Sequence, residues 1–215
     1  MYSNFNFVII DYGMGNLHSV RKKLRRIGLD AEISNNPAKI IKASKLFLPG
    51  VGHFSKAIQN LKALHLYDSL NEAVLVKKTP ILGICLGLQL MARHSEEGNE
   101  EGFGWFDADV HHFNITNQLK YKVPHMGWNN VKTAKQSILF DGIPESQEFY
   151  FVHSYHIKAN NKEDVLATTE YEYSFVSALE KDNIFGVQFH PEKSHDVGGK
   201  ILSNFVKLEK CFAPE

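Results

Sequence analysis

The chain has 215 residues, of which 43% are hydrophobic and 22% charged, values typical of a globular protein that buries a full core. Lysine plus arginine (24) equals aspartate plus glutamate (24), so the formal net charge is zero and no global basic field attracts nucleic acid or an anionic membrane. No apolar run approaches the roughly 20 residues that span a bilayer. We expect one domain over residues 1–215.

The cysteine content and the N-terminal stretch bear on the compartment. Two cysteines occur, Cys85 and Cys211, too few for a disulfide framework. Residues 1–10 contain no basic segment followed by a long apolar run, so they do not resemble a secretory signal. We therefore expect a protein of the reducing cytoplasm.

Apolar runs typical of strands alternate with runs at helical spacing over the first hundred residues. Residues 5–10 predict a strand, residues 11–16 a glycine-containing loop, and residues 17–27 a helix. The other elements predicted here are strands at 30–33 and 45–48, a short helix that opens at Pro37, and helices that run through Leu61 and over 66–76. Such alternation predicts a parallel sheet with helices on both faces, and ligands at the carboxyl ends of its strands.

The pattern of residue types in the sequence changes after about residue 100. Short aromatic or β-branched segments separated by turn residues predict strands at 105–113, 125–131, 148–151, 165–169, 175–179 and 184–189. A last helix is predicted over residues 199–210. The predicted fold class is therefore α/β, with an open, mostly parallel sheet flanked by helices and a mixed or antiparallel strand extension.

A cysteine lies where a predicted strand meets a predicted helix. The sequence Gly83-Ile84-Cys85-Leu86-Gly87 predicts the sharp strand-to-helix turn of a nucleophile elbow, with cysteine in place of serine. The glycines leave room for neighbouring backbone, and the N–H groups at the start of a helix favour thiolate over thiol. The same pentapeptide also fits a buried core cysteine, the commonest environment of a free cysteine.

A histidine and a glutamate follow the last predicted strand. His190-Pro191-Glu192 belongs, like Cys85, at the carboxyl end of a strand. If the chain stays extended through Pro191, the side chains of His190 and Glu192 project to the same side. Glu192 then accepts from one ring nitrogen and the other nitrogen faces the sulfur, as in a cysteine-histidine-carboxylate triad. An isolated His-x-Glu also fits a solvated surface turn, but the elbow and the glycine-rich loop at residues 49–52 favour the triad.

Together these residues resemble the triad-type class I glutamine amidotransferases. The resemblance covers nearly the whole chain and narrows to the glutaminase subunits of histidine biosynthesis, which implies a flavodoxin-like fold with no cofactor and no metal. It rests on the elbow with Gln89, on His190-Pro191-Glu192, and on Asp11-Tyr12-Gly13-Met14-Gly15-Asn16-Leu17, Pro49-Gly50-Val51-Gly52, Pro124-His125-Met126-Gly127-Trp128-Asn129 and Phe151-Val152-His153-Ser154-Tyr155.

The resemblance implies a reaction and a role for each site residue. Cys85 attacks the side-chain amide carbon of glutamine, and His190, oriented by Glu192, protonates the departing ammonia and then activates water. The backbone N–H groups of Val51 and Leu86 form the oxyanion hole. The implied substrate-binding positions are Gly50, Gly52, Gln89, Glu97, Ser154 and Tyr155. Without the resemblance, the preferred interpretations are a solvent-facing helix position for Gln89 and a helix-terminal charge for Glu97.

The resemblance also implies a partner, because free ammonia would be protonated and lost in water. That partner is a (β/α)₈ cyclase subunit that receives the ammonia, in a heterodimer. Trp128 and Lys193 resemble interface positions, and Tyr150 lies near the ammonia exit. From sequence alone Trp128 fits a core aromatic equally well. Neither nucleic acid nor a membrane is expected as a partner.

Some residues depart from the commoner family pattern and leave the partner open. They are His18, His53, Phe54 and His156, and none of them belongs to the triad. The alternative partner is a cyclase-like protein of surface-sugar biosynthesis. Two other functions stay open, a stand-alone cysteine hydrolase and an inactive regulatory subunit. The order of His190 before Glu192 is unlike that of α/β-hydrolases, in which the acid precedes the histidine.

Overall fold

The structure, a computed structural model, describes residues 6–145 and 147–208; Cys211 lies outside these ranges. Within them, twelve strands form one sheet and two form a second. The strands are β1 (Phe7–Ile10), β2 (Glu32–Ser34), β3 (Lys45–Gly50), β4 (Ile81–Cys85), β5 (His94–Ser95), β6 (Glu100–Glu101), β7 (Ala108–His112), β8 (His125–Asn130), β9 (Lys132–Thr133), β10 (Glu148–His153), β11 (Tyr155–Ala159), β12 (Val165–Tyr171), β13 (Tyr173–Lys181) and β14 (Ile184–Val187). The helices are α1 (Leu17–Arg26), α2 (Pro37–Ile41), α3 (Phe54–Ala63), α4 (Leu66–Asn71), α5 (Leu86–Gln89) and α6 (His195–Lys207).

The large sheet has a parallel half and a mixed half. Its order is β2-β1-β3-β4-β14-β13-β11-β7-β5-β6, with β12 beside β13 and β9 beside β12. All neighbours from β2 to β14 are parallel, whereas β13 pairs antiparallel with β14, β11 and β12. Strands β8 and β10 form the separate antiparallel pair. The predicted fold class, a mostly parallel sheet with a mixed extension, is confirmed.

The parallel strands are buried on both faces, which is why they read as continuous apolar runs. Every residue of β1, β3, β4 and β14 is buried. In β1, Val8 and Ile10 pack into the core on one face of the sheet, and Phe7 and Ile9 pack into the core on the other. Helices α3 and α4 cover the first face and helices α1 and α6 the second. Because successive side chains of a strand point to opposite faces of the sheet, β1 contributes side chains to both cores.

Several elements differ from the sequence-based prediction, among them the two-residue strands β5, β6 and β9, which were not predicted. The helix predicted over 66–76 ends as α4 at Asn71 and continues as a π-helical turn, Glu72–Val76. Strand β11 was not predicted, because its apolar alternation is interrupted by a buried histidine, His156. Helix α6 begins at His195, before the predicted start at residue 199, and so contains Gly198, where a Cβ would lie 1.9 Å from the Pro191 carbonyl oxygen.

The strand order brings three carboxyl ends to one edge of the sheet. Cys85 at the end of β4 is paired with Gly50 at the end of β3, and Val187 at the end of β14 is paired with Ile84. The glycine-rich loop, the elbow and the His-Pro-Glu segment therefore meet at this edge. No helix within residues 6–145 and 147–208 is both long and apolar enough to cross a membrane.

Candidate active site

Cys85 occupies a strained backbone position at the elbow. It is the last residue of β4 and has φ 55° and ψ −110°, a conformation that a non-glycine residue adopts only when its surroundings enforce it. Two glycines allow it, since a Cβ on Gly83 would lie 2.8 Å from the Gly87 carbonyl oxygen and one on Gly87 would lie 1.7 Å from that of Leu48. Helix α5 spans only four residues, so its dipole favours the thiolate less than a long helix would.

His190 and Glu192 form a buried pair behind the cysteine. His190 Nδ1 and Glu192 Oε1 are 2.8 Å apart, and the two side chains are 1% and 2% exposed. The predicted extended conformation through Pro191 is wrong, because residues Pro191–Lys193 form a 3₁₀ turn. The turn is tied down by Ser194, whose hydroxyl donates to the His190 carbonyl oxygen at 2.6 Å. The side chains of His190 and Glu192 therefore do lie together, but a turn brings them together and not the expected extended segment.

The charge state of His190 follows from its neighbours. Burial lowers the pKa of His190, but the Cys85 thiolate and the Glu192 carboxylate together outweigh burial and raise this pKa to about 10. Its second ring nitrogen, Nε2, is buried and has no partner in ideal hydrogen-bond geometry among the described residues. The arrangement therefore favours the imidazolium form of His190 near neutral pH.

A cavity of about 250 Å³ opens beside Cys85. At about 30 Å³ per water it has room for about eight waters, roughly the size of a free amino acid. Its walls include most of the site residues predicted from the sequence, namely Val51, Gly52, Cys85, Leu86, Gln89, Glu97, Ser154 and Tyr155. Gly50 is not in the wall; it packs under Tyr12, whose hydroxyl oxygen would lie 2.2 Å from a Cβ at that position.

Gln89 and Glu97 are each held by the protein as well as facing the cavity. Gln89 is buried, and its Nε2 donates to the Tyr155 carbonyl oxygen and to Gln188 Oε1, both at 3.0 Å. The solvent-facing alternative for Gln89 is therefore wrong. Glu97 Oε2 accepts from the backbone N–H of Phe54 at 2.8 Å, at the start of α3. Glu97 thus combines the helix-terminal role with a place in the cavity wall.

The predicted interface residues lie together: Trp128 is on β8, Tyr150 is on β10, and Lys193 ends the turn Pro191–Lys193. Trp128 and Tyr150 are paired in register, with ring centroids 5.9 Å apart, and Lys193 Nζ lies 5.4 Å from the Tyr150 ring. Trp128 is 41% exposed, which excludes the core alternative for this residue. His195 stacks on Trp128 with ring centroids 4.6 Å apart, a contact that the sequence did not predict.

A buried histidine chain also escaped prediction. His153 Nδ1 lies 2.7 Å from the Tyr155 carbonyl oxygen. A carbonyl can only accept, so this nitrogen carries the proton and donates. His125 Nδ1 then donates to His153 Nε2 at 3.1 Å, and Asn129 Nδ2 lies 3.3 Å from His125 Nε2. Burial lowers the pKa of His125 to about 4 and that of His153 well below its ordinary value. The sequence does not reveal this chain, because His125 and His153 face each other only through the register of β8 and β10.

We expect the protein to lose stability as the pH falls from about 7 to about 5, partly through His125. The unfolded chain binds a proton at His125 near pH 6.5 and the folded chain only near pH 4. Between these values the unfolded state binds more protons, so acidification favours unfolding. Melting temperatures measured across this range should vary less with pH in His125→Gln than in the wild type. The exposed-site control is His18→Gln. If the melting temperature of His125→Gln depends on pH as strongly as that of the wild type or of His18→Gln, His125 does not cause the loss of stability.

Comparisons with known proteins show which family the chain is similar to. A family model described as glutamine amidotransferase class-I matches residues 8–208. A protein of Methanococcus maripaludis named imidazole glycerol phosphate synthase subunit HisH 2 is 52% identical over 199 residues, which cover 93% of this chain and 98% of that protein. The protein of the same name from Pseudomonas aeruginosa is 45% identical over 201 residues, with coverages of 94% and 98%.

A solved structure supports the fold. The crystal structure of a putative GMP synthase protein from Thermoplasma acidophilum superposes with a TM-score of 0.69. The match covers 94% of this chain and 93% of that protein at 23% identity. At that identity the likeness concerns the arrangement of helices and strands alone.

Proposed function

This chain belongs to the class I glutamine amidotransferase family, and on that premise we propose that it is the glutaminase subunit of an imidazole glycerol phosphate synthase. It hydrolyses glutamine to glutamate and ammonia, and the ammonia passes to a (β/α)₈ cyclase subunit that forms imidazole glycerol phosphate and AICAR. The observation that carries the proposal is Cys85 at the wall of an amino-acid-sized cavity, backed by the buried His190–Glu192 pair.

The reaction begins with attack by the Cys85 thiolate on the side-chain amide carbon of glutamine. A C–S bond forms, and the amide oxygen takes up the negative charge. His190, as imidazolium, gives its proton to the amide nitrogen, and the C–N bond breaks to release ammonia. The γ-glutamyl group remains on Cys85 as a thioester. Neutral His190 then removes a proton from water, the water oxygen attacks the thioester, and glutamate leaves as the thiolate is restored.

The developing oxyanion needs two N–H donors on the cavity side of Cys85. Leu86 is the first residue of α5, so its N–H lacks a partner within the helix and is one proposed donor. The other is the N–H of Val51, in the loop after β3. Gly52 in this loop has φ +114°, a region that favours glycine, so the peptide between Val51 and Gly52 is free to change orientation.

The substrate's other end is held by the opposite wall. Both protons of the Gln89 amide are used by Tyr155 and Gln188, so its oxygen is the group left to accept from the α-ammonium of glutamine. The carboxylate of Glu97 adds a negative charge beside the same ammonium. Backbone groups around Gly52, Ser154 and Tyr155 are proposed to bind the α-carboxylate.

The exposed cluster of Trp128, Tyr150 and Lys193 is proposed as the surface that contacts the cyclase. It combines a half-exposed aromatic with a cation over a ring, and aromatic residues are enriched at protein interfaces. Tyr150 also connects this surface to the triad, because its carbonyl oxygen accepts from the His190 backbone N–H at 2.8 Å. Contact with the partner therefore reaches the segment that carries the general acid.

We expect glutamine hydrolysis by the isolated chain to be slow and to rise about 100-fold when the ligand-loaded histidine-pathway cyclase is added. The reason is that docking orients the peptide at Gly52, and one oxyanion donor is worth about 10²- to 10³-fold in kcat. Glutamate release, measured with and without the cyclase, checks this. A cyclase-like protein of surface-sugar biosynthesis serves as the control partner. Equal rates with and without the histidine-pathway cyclase would contradict the proposal.

A further inference from the structure

We propose that Gln188 is a positioning residue for the nucleophile: its side-chain amide donates a hydrogen bond to Cys85 Sγ and is itself fixed by Gln89. The inference rests on the proposed glutaminase reaction and adds a group that neither the triad nor the cavity wall includes. One amide would then join the attacking sulfur to the residue that binds the substrate.

The strand register places Gln188 beside the sulfur. Val187 is paired with Ile84 across the parallel strands β14 and β4, so the next residues, Gln188 and Cys85, leave the sheet side by side. Gln188 Nε2 lies 3.5 Å from Cys85 Sγ, within reach of an N–H···S hydrogen bond. Gln188 is completely buried and Cys85 is 6% exposed, so water does not compete for this contact.

The orientation of the Gln188 amide is determined by its neighbours. Gln89 must turn its NH₂ group toward the Tyr155 carbonyl oxygen, because a carbonyl can only accept. The second proton of that NH₂ group points at Gln188, which must present its oxygen there. The NH₂ group of Gln188 consequently faces the sulfur. The flipped orientation would oppose two NH₂ groups and place an oxygen against the thiolate.

The Tyr155 carbonyl that anchors this chain is itself fixed. It also accepts from His153 Nδ1 at 2.7 Å. His153 and Gln89 therefore both donate to Tyr155, Gln89 also donates to Gln188, and Gln188 donates to Cys85. Each amide and imidazole has one defined orientation.

A donor at this position favours the charged sulfur over the neutral thiol. Hydrogen bonds to charged groups are roughly twice as strong as neutral ones, and more so where water is excluded. The same bond restrains the sulfur to the rotamer that faces the cavity. In the reaction, Gln188 would raise the thiolate fraction before attack and stabilise the thiolate that leaves when the thioester is hydrolysed.

The test is the rate of Cys85 alkylation by iodoacetamide as a function of pH, in the absence of glutamine. Cys211 is replaced by serine in all variants so that Cys85 is the cysteine followed. Gln188→Met keeps side-chain length and removes the donor, and Gln188→Glu keeps the shape and places a carboxylate oxygen against the sulfur. Asn204→Leu is the matched control, because Asn204 is buried and donates to the Leu139 and Asp141 carbonyl oxygens, away from Cys85.

The proposal predicts that Gln188→Met lowers the alkylation rate at neutral pH about tenfold and moves its pH profile to higher pH. Gln188→Glu should move the profile further in the same direction, and it keeps the proposal testable should Gln188→Met fail to fold. Asn204→Leu should lose stability without moving the profile. A wild-type profile in either folded Gln188 variant, or an equal displacement in Asn204→Leu, would overturn the proposal. Because this assay contains no glutamine, its failure is distinct from failure of the wild type to hydrolyse glutamine.

Discussion

Replacing Cys85 by alanine is expected to lower glutamine hydrolysis by at least about 10⁴-fold. The sulfur forms the covalent intermediate, and the described residues place no second cysteine in or near the cavity. What survives is the rate enhancement from binding glutamine beside the oxyanion donors, which does not depend on the nucleophile. Glutamate release in the presence of the cyclase, compared between wild type and Cys85→Ala, measures the loss.

Two controls separate loss of chemistry from loss of fold. Cys211→Ser changes the other cysteine of the chain, and we expect it to keep full activity. Cys85→Ala should still bind the cyclase and leave the reaction of the complex with added ammonium salt intact. Appreciable glutaminase activity in Cys85→Ala would show that the cysteine is not the nucleophile.

Replacing Glu192 by glutamine is expected to lower kcat by about 10³- to 10⁴-fold with little change in KM. The amide has the shape of the carboxylate but no charge, and the 2.8 Å contact with His190 Nδ1 then stabilises the imidazolium much less. Glu192 helps to raise the pKa of His190, so this pKa falls in the variant. The alkaline limb of the kcat profile, which reports loss of the protonated histidine, should therefore move to lower pH.

The matched control for this prediction is Glu32→Gln, which changes an exposed carboxylate that pairs with Lys39 on the surface. It should leave kcat and the pH profile unchanged, since exposed pairs contribute little. A Glu192→Gln variant with the wild-type alkaline limb would mean that Glu192 does not control the protonation of His190.

The parallel half of the fold was predictable because its physics is local to each segment. Strands buried on both faces read as apolar runs, and Gly83 and Gly87 flank Cys85 at the spacing that the elbow needs. Chain order and alternation then brought the two strand ends that carry Cys85 and His190 to one edge, as predicted.

The rest depended on tertiary contacts that leave weak traces in the sequence. Strand β11 contains His156, which is buried by the aromatic rings of Phe113 and Tyr173 and so breaks the expected polarity pattern. The turn at Pro191 depends on Ser194 and on the close approach of Gly198, neither of which a linear motif reveals. In the sequence Gln188 is simply the residue at the end of a strand, and its contact with Cys85 follows only from the pairing of the two strands.

Several sequence-based expectations stay predictions. They are the organisation of residues 1–215 as one domain and the individual roles in catalysis, substrate binding and partner contact. The geometry favours the roles of Cys85, His190 and Glu192, and the variants above are chosen to test them.

The most direct test of the proposed function is AICAR formation from glutamine by a mixture of this chain and the histidine-pathway cyclase, with the cyclase's nucleotide substrate present. We predict that glutamine supports AICAR formation only when the chain is present with Cys85 intact. Ammonium salt should support the reaction with either the wild type or Cys85→Ala. If the mixture makes AICAR from ammonium salt but none from glutamine, the chain does not supply ammonia to this cyclase and the proposed function is wrong.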